Sequence, residues 1–180
     1  MADESKTIEN PVSGERFSFR KTAAETGGEL LQLELVLRPG GRVPVDHVHT
    51  LQEERFEVLS GRARFRLGKT LQELSQGESL VVPPGIAHGL RNETDDEARV
   101  LVEFRPARDM ERFFEIYCGL ACDGRVDKRG VPNFLRSAVI ARELQAETYL
   151  AGLPIGLQKA GMVLLAPIGR LLGYRVGDSQ

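Results

Sequence analysis

The sequence contains no tryptophan, two cysteines, three histidines and no excess of positive charge. Two cysteines cannot build the disulfide framework that staples many small secreted domains, so a reducing, cytoplasmic setting is expected. Lys and Arg number 24 against 26 Asp and Glu, a formal charge of −2 with the histidines neutral. Binding to nucleic acid through phosphates draws on a surplus of cations, so no nucleic-acid partner is expected. The longest uninterrupted apolar run, Ala160 to Gly169, is about half the roughly 20 residues a membrane-spanning helix needs, and no span is expected. Met1 to Gly14 is polar and acidic, without a basic stretch leading into an apolar one, so the reading there is a flexible segment over 1–14 and no secretory signal. Repeats and low-complexity tracts are also lacking.

What remains is the inventory of an ordinary globular chain. At 180 residues, 41% hydrophobic and 28% charged, it lies far from the disordered corner of composition and is long enough for one domain with an appendage. Nineteen glycines point to many tight turns.

Residues 15–106 read as short strands at close, regular spacing, the signature of a β sandwich or barrel. Phe17 and Phe19 alternate with polar neighbours, and Leu31, Leu33, Leu35 and Leu37 do so over a longer run before Pro39-Gly40-Gly41 breaks the chain. Further strands are expected at Glu54–Leu59, Ala63–Leu67, Ser79–Val82, Gly89–Asn92 and Ala98–Arg105. After Pro106 the apolar spacing shifts to three and four, and a helical extension over 107–180 follows. Asp109 is a candidate N-cap for a helix carrying Met110, Phe113, Phe114 and Tyr117, with Gly119 or Gly124 as its end. Asn133 is the candidate cap of a second helix reaching about Thr148, with Phe134, Leu135, Ala138, Val139 and Leu144 buried. Ile155–Leu172 reads as a third, kinked or split at Pro167.

The three histidines are His47, His49 and His88. His47 and His49 stand two apart at a strand end, so both side chains leave one face of the sheet, and Glu54 starts the next strand, from where a carboxylate can return to the same point. Three imidazoles and one carboxylate suit a divalent transition metal, and Fe, Mn, Ni, Zn and Cu all stay open.

The spacing around these residues resembles the cupin family. Its first motif is matched by Gly41, five residues, His47-Val48-His49, four residues, Glu54, six residues and Gly61. The second is matched by Gly77, five residues, Pro83-Pro84-Gly85, two residues, His88, three residues and Asn92. The resemblance implies a mainly β fold, the double-stranded β-helix or jelly-roll barrel, followed here by the α-helical extension. It also implies that His47, His49, Glu54 and His88 bind one divalent metal ion inside the barrel, and that the barrels pair as homodimers. Asn92 is read as bonding local backbone, Glu53 as a surface carboxylate, and Cys118 and Cys122 as buried free thiols.

Strand parity places Val43, Val45, Phe56, Val58, Ala63, Phe65, Leu67, Leu90, Val100, Val102 and Phe104 inside the barrel, with Val45, Phe56, Val58, Phe65, Leu90, Val102 and Phe104 as the substrate pocket. Arg42, Asp46, Arg64, Arg66, Arg99 and Arg105 fall on the outer parity, so no inward guanidinium is expected. These features point to a metal-dependent enzyme, dioxygenase-like or cyclase- or isomerase-like, acting on a small apolar or aromatic oxygen-bearing compound, with Glu54 doubling as a proton acceptor. The alternative is a non-catalytic small-molecule-binding module whose helical tail is a dimer or partner surface.

Overall fold

In the computed structural model, residues 6–145 and 147–176 are described. Among the described residues, eleven strands form two antiparallel sheets that face each other across the core. The larger sheet has the spatial order β1 (Thr7–Asn10), β2 (Glu15–Lys21), β3 (Leu31–Leu37), β10 (Ala98–Arg105), β5 (Glu53–Ser60) and β8 (Ser79–Val82). The smaller has the order β11 (Thr148–Leu150), β4 (His47–His49), β9 (His88–Arg91), β6 (Arg62–Leu67) and β7 (Thr70–Ser75). This is the jelly-roll arrangement, and the alternating apolar residues explain it. Leu31, Leu33, Leu35 and Leu37 of β3 pack with Val100, Val102 and Phe104 of β10 and with Phe56, Val58 and Phe65 in one buried cluster. Their polar neighbours face outward, where Arg20 and Arg99 both bond Glu34.

Helices α1 (Met110–Cys122), α2 (Phe134–Glu143) and α3 (Ile155–Leu171) follow. Asp109 precedes α1 but makes no side-chain capping bond, and the helix runs through Gly119 to end before Gly124, whose φ is +67°. Asn133 does cap α2, its side chain accepting from the Arg136 amide at 3.0 Å. That helix stops short of the expected Thr148. Leu144 closes it, Gln145 turns the chain with a φ of +46°, and Thr148–Leu150 then pairs with β4. The extension is therefore not helical throughout. On α2, Ala138 and Val139 are buried as expected whereas Phe134 is exposed, because it lies in the first turn beyond the packed face. Pro167 does not split α3, which is continuous through it; a proline removes a single backbone donor, and the helix has only one further turn to run.

The expected flexible segment 1–14 contains β1, whose Ile8 sits opposite Phe17 of β2 and packs on the core; residues 1–5 lie outside the described residues. Both cysteines are free, but only Cys118 is buried; Cys122 sits at the solvent-facing end of α1. Among the described residues no helix is long and apolar enough to cross a membrane.

Candidate metal centre

Strand register brings the four candidate ligands together. His47 of β4 lies opposite His88 of β9, and His49 lies opposite Thr148 of β11. Glu54 comes from the facing sheet, on β5 between Val82 and Phe104. The Pro83-Pro84-Gly85 corner feeds His88 into its strand, and Gly85, with a φ of +86°, donates its amide to the His49 carbonyl at 2.8 Å, locking that corner to the ligand strand.

The ligating atoms of His47, His49, Glu54 and His88 all lie within 4.8 Å of one another. His47 Nε2 is 3.1 Å from His49 Nε2, His49 Nε2 is 3.3 Å from Glu54 Oε2, and His88 Nε2 is 2.7 Å from the same oxygen. Nitrogen and oxygen ligands held about 2.0–2.2 Å from one ion and at right angles to each other are separated by about 3 Å, so this spacing fits a shared cation. The other ring nitrogens are committed elsewhere. His47 Nδ1 donates to the Val45 carbonyl at 3.1 Å and His88 Nδ1 to the Ile86 carbonyl at 3.0 Å, which leaves each Nε2 pointing into the cluster. His49 Nδ1 lies 2.9 Å from Thr148 Oγ1, the same kind of supporting bond that orients metal-ligating histidines. The cluster is able to bind a metal ion.

Electrostatics agree with that donor set. Burial, reinforced by the neighbouring His88 and His49, depresses His47 to about 3, so its imidazole is neutral at physiological pH, the form that ligates. Burial opposes ionisation of Glu54, but hydrogen bonds from His49 and His88 outweigh it and hold the carboxyl well below its usual range. Burial works against a charged His88, yet its bond to Glu54 prevails and raises it. A carboxylate shared between two imidazoles is weakly basic, which favours Glu54 as a ligand over Glu54 as a proton acceptor.

Beside the cluster opens a cavity of about 1050 Å³, bordered by His47, His49 and Glu54. Of the residues expected to form the pocket, Val45, Phe56, Val102 and Phe104 line it; Val58, Phe65 and Leu90 are instead packed into the core, deeper between the sheets. The cavity extends under the helices, where Phe113, Phe114 and Tyr117 of α1 and Ala138 and Ile140 of α2 continue its wall.

Three polar residues at this site were not singled out by the sequence. Thr148 was concealed within an expected helix, although Thr148-Tyr149-Leu150 followed by Gly152 carries strand character. Glu15 lines the cavity, fully enclosed, and burial lifts its carboxyl to about 7 despite a 2.5 Å bond from Ser13 Oγ and the nearby Arg42 charge. Arg136 of α2 lines it too, correcting the expectation of no inward guanidinium; the parity argument covered only the strands, where Arg64, Arg66, Arg99 and Arg105 do pair with carboxylates outside the cavity. Asn92 is buried and bonds the backbone carbonyls of Leu37, Arg38 and Asp96, while Glu53 is exposed.

The fold and the cluster together define a two-sheet jelly-roll barrel enclosing three histidines and a glutamate that could hold a metal ion. Residues 33–104 match the family model described as the cupin domain. Two solved structures share the fold: KdgF from Halomonas sp., with a TM-score of 0.53, 20% identity and coverage of 62% of this chain and 96% of that one, and an RmlC-like cupin from Shewanella frigidimarina, with a TM-score of 0.51, 18% identity and coverage of 62% and 92%. Among curated proteins, the protein SchB of Streptomyces halstedii is 34% identical over 71 residues, 39% of this chain and 51% of its own length. The polyketide synthase CurC of Streptomyces cyaneus is 32% identical over 71 residues, 39% of this chain and 46% of its own. The chain thus spans about half the length of the curated relatives it matches. The β-barrel thus carries a cupin domain over residues 33–104.

Proposed function

We propose that the protein is a metal-dependent cupin enzyme, in which His47, His49, Glu54 and His88 hold one divalent transition metal and a small apolar or aromatic oxygen-bearing substrate occupies the adjoining cavity. The observation that carries this reading is the convergence of four donor atoms, their outer nitrogens already bonded, on the edge of a largely apolar cavity. A bound metal of this ligand set supplies a Lewis acid, or an oxygen-binding centre if it is iron. The chain's own residues do the rest: Phe56, Phe104 and Phe113 exclude water and hold a flat apolar body against the ligand cluster. Dioxygenase-like and cyclase- or isomerase-like chemistry both fit such a site, and the likeness to a protein named as a polyketide synthase supports an aromatic or polyketide-like substrate.

The test is to load the protein with Fe, Mn, Ni, Zn or Cu in turn and present catechols and enolisable aromatic diketones, following oxygen uptake and product formation. Metal-dependent turnover that chelation abolishes is expected. Tight ligand binding without turnover under any metal would instead support the binding-module reading.

We further propose that the chain pairs as a homodimer through the outer face of α3, where Val163, Leu164, Ile168 and Leu171 are exposed.

A further inference from the structure

Arg136 is a buried, strongly polar group of the cavity that the metal reading leaves without a task. It sits in the first turn of α2, its backbone amide fixed by the Asn133 cap, and its guanidinium lies 4.7 Å from the centroid of the Tyr174 ring. The residue is only 8% exposed, and among the described residues its Nε and Nη1 have no hydrogen-bond partner. A guanidinium stays protonated under any physiological condition, so burial does not neutralise it. Leaving such a charge desolvated and unpaired is costly, which is why buried cations are ordinarily found with an anion. Among the described residues the cavity's carboxylates are engaged elsewhere, Glu54 by His49 and His88, Glu15 by Ser13 and Asp127 by Arg129, and none bonds Arg136. Arg125 and Arg129 also border the cavity but are exposed, and each stands near an aspartate, Asp123 and Asp127.

We propose that Arg136 is an anion-recognising subsite and that the ligand of this cavity carries a carboxylate remote from the group that meets the metal cluster. One buried guanidinium balances one negative charge. A carboxylate matches it, whereas a phosphate monoester would bring a second charge with no buried cation to meet it. The ligand class is therefore an apolar or aromatic monoacid, long enough to span from α2 to the barrel. This deepens the proposed function and rests on the cavity being a ligand pocket, but not on the metal.

The test uses the full-length protein stripped of metal, so that failure of the metal site does not mask the result. Binding of 1-naphthoate, of its uncharged isostere 1-naphthamide and of 1-naphthyl phosphate is measured by calorimetry on the parent, R136Q, R136K and D178N; Asp178 lies outside the described residues. The parent is expected to prefer naphthoate over naphthamide by roughly tenfold or more, the scale of a charge-assisted hydrogen bond in a dry site, and over naphthyl phosphate as well. R136Q is expected to erase the preference over the amide, R136K to keep part of it, and D178N to leave it unchanged. Equal or absent binding of acid and amide to the parent overturns the proposal, as does a preference that survives R136Q. Tighter binding of the phosphate overturns the carboxylate assignment. A preference that rises several-fold in D178N would show that the chain's own carboxylate is the partner of Arg136, and the proposal would fail.

Discussion

Thr148 and Glu15 carry the two sharpest expectations at the residue scale. Thr148 Oγ1 touches the outer nitrogen of His49 and no other candidate ligand, so T148V should leave the fold intact and weaken metal affinity about tenfold, the usual effect of removing a bond behind a metal-ligating histidine. Competition against a chromophoric chelator measures this directly, and unchanged affinity would show that the bond does not orient the ring. Glu15 tests the enclosure of the cavity. Its folded pKa is raised, by burial, to about 7 from an ordinary value of 4.5, so the folded state retains a proton that the unfolded chain loses. Stability contributed by this group is full below pH 4.5, declines as pH rises through 4.5 to 7, and is level above. Relative to the parent, E15Q should therefore gain on the order of 2–3 kcal/mol between pH 4.5 and pH 8. Urea unfolding of both proteins at the two pH values reads that gain, and parallel pH profiles would contradict it.

Among the elements, the turns between strands separate steric need from conformational preference. Gly61 and Gly77 both have positive φ, +74° and +84°. A Cβ at Gly61 would meet the Glu97 carbonyl oxygen at 2.5 Å and the Ala98 Cα at 3.2 Å, backbone that cannot swing aside, whereas at Gly77 it would meet nothing within 4 Å. G77A should cost about 1 kcal/mol, the price of a left-handed alanine, and G61A distinctly more, about 3 kcal/mol. Equal losses in thermal or denaturant unfolding would contradict the difference in packing. The same strands show what the sequence makes legible. β2, β3, β5 and β10 alternate apolar and polar residues because one face of each is in the core, and their bounds could be read closely. β7 escaped because Thr70–Ser75 is an edge strand with no buried residue, and so has no apolar rhythm. β1 and β11 escaped because four and three residues are too few to show a period. Helix α2 was read too long for a related reason: Thr148 and Tyr149 fit a helical spacing locally, and only pairing with a strand 99 residues away in sequence decides otherwise.

The whole molecule joins a barrel whose ligands sequence spacing reveals to a tail whose contribution it conceals. His47, His49, Glu54 and His88 were legible because they sit at fixed intervals from turn glycines within about 50 residues. Arg136 and Thr148 were not, because nothing local marks a helical arginine or a strand threonine as facing a cavity built by distant strands. The tail also leaves an apolar stripe on α3, with Leu164 69% and Leu171 87% exposed. If the homodimer proposal holds, light scattering should give twice the 19.9 kDa chain mass for the parent and the chain mass for L164D/L171D. A parent that is monomeric at micromolar concentration would contradict that assembly.

The metal cluster itself is the central claim, and elemental analysis of the protein beside its His88→Ala variant tests it most directly. The account predicts close to one equivalent of a divalent transition metal per chain, present on purification or taken up on reconstitution, and its loss in the variant. A parent that carries no such metal and takes up none, or a variant that retains it in full, would contradict the account.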